Sequence, residues 1–113
     1  MRELNFNSVQ RPTLLLTMKD EAQTKIPVSM PTEHLIEQLQ AIGPDLTEAV
    51  QNKDEALLLQ IYDLAAKLIS CNRVMIKVTS DELRCKYHLN LEDLVLFFGA
   101  YVDFIDEIQN AKN

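Results

Sequence analysis

The chain has 113 residues, is 47% hydrophobic and 25% charged, and carries a net charge of −6. That balance excludes a disordered chain and fits a single domain, 1–113, able to bury a usable core. It also argues against DNA or RNA as a partner, because nucleic-acid binding rests on basic surface that neutralises phosphates.

No apolar run approaches the roughly 18–20 residues that span a bilayer, so no membrane partner is expected. The opening MRELNFNSVQRP lacks the apolar stretch and cleavage site of a secretory signal. A soluble protein of the cytoplasm is expected, with Cys71 and Cys85 reduced rather than paired.

Within the first dozen residues, Leu4 and Phe6 share one side of an extended segment, which allows a short edge strand. Thr13–Met18 and Thr24–Ser29 are β-competent runs around the polar connection Lys19–Gln23, and predict a hairpin within residues 1–30. Pro27 cannot donate a ladder hydrogen bond, so its strand should be an edge or bulged there. A lone hairpin is marginal and must pack on the helical part of the chain.

Residues 31–110 read as a helical bundle. Pro31 suits the first position of a helix, in which Leu35, Ile36, Leu39 and Ile42 recur at helical spacing until Gly43-Pro44 stops the run. A second helix is expected near Asp45, with Leu46, Ala49 and Val50. Asp54 is an N-cap for a long helix over Glu55–Cys71, which Asn72 ends in a left-handed conformation. Arg73–Val78 reads as an extended connector. Thr79 and Glu82 form a capping box for a short helix, Ser80–Tyr87, and Asn90 caps a final helix ending near Gln109. The expected fold is therefore α+β, mainly α: an N-terminal hairpin packed on four to five helices.

No catalytic constellation stands out. His34, Cys71, Cys85 and His88 are the only soft metal ligands, and their spacing lacks paired zinc knuckles. Asp103, Asp106 and Glu107 share one helix face, a grouping that general acid–base chemistry could use, but solvated carboxylates opposite an apolar stripe are ordinary in amphipathic helices. With two glycines, Gly43 and Gly99, no phosphate-cradling loop can be written. Neither a cofactor nor an enzymatic activity is expected. The basic residues Arg73, Lys77, Arg84 and Lys86 read as compensation for the acidic helix after them.

The final helix, LEDLVLFFGAYVDFIDEI, is the most telling segment. Its apolar residues cover roughly half the helical circumference, where a surface helix needs a stripe only somewhat wider than about 100°. Leu94, Phe98, Tyr101 and Ile105 define the core-facing stripe. Leu96, Phe97 and Phe104 flank it as a surplus, which points to a partner or a second copy. The expected contact surface is Leu96, Phe97, Phe98, Tyr101, Phe104 and Ile105. Replacing Phe97 and Phe104 by Ser is expected to leave a folded chain that has lost its partner.

Three blocks are familiar when taken together: LLLTMKDEAQTKIPVSMPTEHLIEQL, LLLQIYDLAAKLISCNR and KVTSDELRCKYHLNLEDLVLFFGAYVDFIDEI. They resemble the small tail assembly chaperones of long-tailed phages and prophages of Gram-positive bacteria, over about residues 13–108. The resemblance implies a homo-oligomeric protein of the bacterial host cytoplasm. Such a protein coats the tape measure protein, keeps that long apolar helical client soluble and brings tail tube protein to it. It implies no active-site residues. The reading from another class is a small acidic regulatory adaptor, antitoxin-like or an anti-regulator, that masks one specific partner. A metal-dependent hydrolase would require a bound ion.

Overall fold

A 15-residue helix, α3 (Glu55–Ile69), is apolar on most of its sides and sits at the centre of the molecule. Ile61, Tyr62, Leu64, Ala65, Ala66, Leu68 and Ile69 are all buried, as expected of a helix whose apolar residues exceed one stripe. The computed structural model describes residues 12–52, 54–72 and 74–110. Around α3 lie β1 (Leu14–Thr17), β2 (Lys25–Val28), α1 (Glu33–Ala41), α2 (Gly43–Asn52), α4 (Ser80–Cys85) and α5 (Leu91–Asn110). Every helix packs against α3, as does β2. The expected hairpin and five-helix architecture is present. The suggested strand at Leu4 and Phe6 falls outside the described residues.

β1 and β2 are antiparallel, with Leu14 opposite Val28 and Leu16 opposite Ile26. Ile26 and Val28 are buried and Leu14 and Leu16 partly so, whereas Leu15 is exposed; the alternation puts one face on the core. The Met18 N–H donates to the Thr24 carbonyl at 2.8 Å. Counting back by the two-residue alternation, Pro27 falls at a non-hydrogen-bonded pair, so its missing N–H costs no ladder bond. The turn is held by Asp20, whose carboxylate accepts from the Thr24 N–H and hydroxyl, while Gln23 takes the left-handed conformation.

The helix caps obey local chemistry. α1 begins at Glu33, behind Thr32, whose hydroxyl accepts from the Leu35 N–H at 3.3 Å. Pro31 is therefore placed before the cap, not at the first helical position; the Thr hydroxyl satisfies an orphan donor, which Pro31 cannot do. Gly43-Pro44 ends α1 but also opens α2, since the first turn requires no Pro N–H. Asp54 accepts from the N–H groups of Ala56 and Leu57. The capping box at Thr79 is complete in both directions, and Asn90 and Asp93 exchange a second such pair at 2.9 Å each way.

The exit from α3 departs from expectation. The helix stops at Ile69, and Asn72 is not left-handed; Met75 and His88 are. The Asn72 side chain instead donates to the carbonyls of Ile69 and Ile76 and accepts the Ile76 N–H at 2.9 Å. The segment beyond it therefore curls around one amide rather than running extended. Asn72 also bridges to Val28, and the Ser29 N–H donates to the Cys71 carbonyl at 2.7 Å, which covers the end of β2. The body measures 59 × 34 × 18 Å, a thin slab.

Candidate interaction groove

α5 is covered along one side by α3 and tied along another to the hairpin. The Lys19 ammonium donates to the Asp93 carboxylate at 2.8 Å, and the Tyr101 hydroxyl donates to the Ser29 carbonyl. Phe97, Tyr101 and Phe104 stack along the helix, with centroids 5.4 and 6.0 Å apart. Within this environment, burial pushes the Tyr101 phenol well above its usual pKa, with Cys71 adding to it. Lys19 and the Asn90 N–H hold the Asp93 carboxyl below the ordinary aspartate value.

The expected contact surface is therefore largely interior. Phe97, Phe98, Tyr101 and Ile105 are buried, Phe104 is partly buried, and Leu96 alone stands open at 73% exposure. The difference lies in the width of the core-facing arc. The hairpin ties to α5 at Asp93 and Tyr101, one turn to either side of Phe97, and that long-range placement has no local signature. Serine at Phe97 would consequently open the core rather than disable an outer face.

The apolar surplus is present on the other flank of α5. Val95 and Val102 are exposed at 41% and 39%, alongside Leu96, and Val50 of α2 is exposed at 55%. Two open depressions meet at Val95. One, of about 740 Å³, is bounded by Ala49, Val50, Leu91, Val95 and Leu96. The other, of about 540 Å³, continues past Leu46, Phe98, Gly99 and Val102. Together they form an apolar groove between α2 and α5, which both pack on α3 rather than chiefly on each other.

Gly99 occupies the groove's α5 wall, and a Cβ built there would meet nothing within 4 Å. Glycine in a helix interior costs about 1 kcal/mol relative to alanine, and no neighbour within the described residues requires its small size. Glu92 and Asp103 border the two depressions. The chain matches no protein-family model, no curated protein and no solved structure.

Among the described residues no three His, Cys, Asp or Glu side chains gather to hold a metal ion. Cys71 and Cys85 are free thiols, the former partly buried and shifted upward in pKa by desolvation. Asp103, Asp106 and Glu107 are exposed on α5. Arg84 lies over the Tyr62 ring at 4.4 Å, so this cation packs against α3. No described helix is long and apolar enough to cross a membrane.

Of the residues that line the groove, Val95 and Val102 are visible in the sequence as members of the wide apolar arc. The spacing of Leu91, Val95 and Val102 at four and seven residues places them along one line of a helix. Their separation from the core cannot be read without knowing where the hairpin lies.

Proposed function

We propose that this protein is a phage tail assembly chaperone that engages the tape measure protein without enzymatic chemistry. The observation that carries the reading is the open apolar groove of Leu91, Val95, Leu96 and Val102 on α5 opposite Val50 on α2. The resemblance of residues 13–108 supplies the identity of the client. A helical client lays its apolar face into a groove of this kind, and apolar contacts of low selectivity suit a long client with many similar segments. Tail tube protein would be a second partner, and copies of the chain would associate through surfaces other than the groove. The host cytoplasm is where such assembly takes place.

Leu96→Ser combined with Val102→Ser tests this, since both side chains are exposed and the fold should persist. Light scattering of a tape measure fragment should rise with the double variant and stay low with the parent. Equal protection by a folded double variant would defeat the reading. Binding at fixed one-to-one stoichiometry to a different, single protein would favour the regulatory adaptor.

A further inference from the structure

The groove's flanking charge assigns the chemistry of its occupant. α1, α2 and α5 contain Asp and Glu but no Lys or Arg anywhere along their length. On α5, Glu92 and Asp103 border the apolar strip. Asp106 lies four residues beyond Val102, at the end of the same line. We infer that the groove takes a basic amphipathic helix, with an apolar stripe seated between α2 and α5 and Lys or Arg beside that stripe paired with Glu92, Asp103 and Asp106. The inference rests on the helix-docking reading above and narrows it to client segments of one charge class.

Three physical features converge on that occupant. α2 and α5 share α3 as a support and leave an open trough between them, and helices pack at axial separations of about 8–10 Å. Gly99 lets a backbone come close, because no atom of the described residues fills the space above it. The carboxylates are exposed, so each pair would contribute modestly to affinity while discriminating strongly against acidic segments.

A second copy seated groove against groove is the wrong occupant on the same grounds. Groove against groove would set Glu92, Asp103 and Asp106 opposite their own counterparts, in a protein whose net charge is already −6. Like charges placed across an interface suppress such pairing.

The test uses two labelled synthetic helices of about five turns, with an identical leucine stripe flanked by lysines in one and glutamates in the other. Fluorescence anisotropy with the whole protein should give at least about tenfold tighter binding of the lysine peptide at low salt. That advantage should vanish in about 0.5 M NaCl, where exposed charges are screened, and in the variant Glu92→Gln/Asp103→Asn/Asp106→Asn. Circular dichroism should show that variant to be folded.

Equal, salt-independent binding of both peptides would overturn the charge assignment and leave helix docking intact. Binding of the lysine peptide that survives Leu96→Ser/Val102→Ser would overturn the groove as its site. Concentration-dependent self-association that the same double variant abolishes would make the occupant a second copy and defeat the inference. Failure of both peptides, while a tape measure fragment is still protected, would defeat the inference alone. Failure of the fragment as well would remove the chaperone reading with it.

Discussion

The Tyr101 hydroxyl donates a hydrogen bond to the carbonyl of Ser29, 72 residues earlier in the chain. It joins the end of the hairpin to the middle of α5, and Tyr101 is fully buried where it does so. Replacing Tyr101 by Phe leaves the ring packing in place and strips the Ser29 carbonyl of this donor. A buried acceptor left unpaired costs about 1–3 kcal/mol. Urea unfolding of Tyr101→Phe should show that loss as a lower midpoint with an unchanged slope.

Adjacent residues on α5 should respond in opposite ways to the same change. Phe97 is 7% exposed and Leu96 is 73% exposed. Phe97→Ser should destabilise the protein by about 3 kcal/mol or more through the cavity it opens and the hydroxyl it buries. Leu96→Ser should stay within about 0.5 kcal/mol of the parent. Thermal melts of the two variants side by side measure the contrast.

Gly99→Ala adds a methyl group to open space and improves helix propensity by about 1 kcal/mol. Chemical denaturation should therefore show a more stable protein. If a client helix crosses close to Gly99, the same methyl group should weaken client binding, so that stability and affinity move in opposite directions. The two are read from denaturation and anisotropy on one preparation.

Acid sensitivity should involve Asp93. Its carboxyl is held below the ordinary aspartate value by Lys19 and by the Asn90 N–H. In the window between the lowered folded value and the unfolded value near 4, the unfolded chain binds more protons, so stability rises with pH. The contribution is complete above the unfolded value and disappears as pH falls through the folded one. Asp93→Asn should flatten the slope of stability against pH in this acid range, measured as urea midpoints at successive pH values. Asp20, lowered by its hydrogen bonds to Thr24, should retain a smaller slope in that variant.

Local chemistry decides the parts of the fold that are legible in the sequence. The caps at Asp54, Thr79 and Asn90 fall where their side chains satisfy orphan helix donors, and each is a matter of three or four residues. The hairpin rests on two apolar alternations and the Asp20 turn. Asn72 departs from its expected role because its side chain commits its hydrogen bonds to Ile69 and Ile76 instead of yielding to a left-handed backbone. Within α5, the breadth of the apolar arc is legible and its division is not. Asp93 and Tyr101 are tied to a hairpin contributed from the other end of the chain, and no periodicity within one helix records which neighbours will arrive.

The slab spans only 18 Å along its shortest axis, so interior and solvent lie close together. A step of one position along a helix swings a side chain by about 100°, which in so shallow a body carries it from one regime to the other. Tolerance to mutation along α5 should accordingly be banded, with intolerant sites such as Phe97 beside permissive ones such as Leu96 and graded responses at the half-buried Leu91, Phe104 and Ile108.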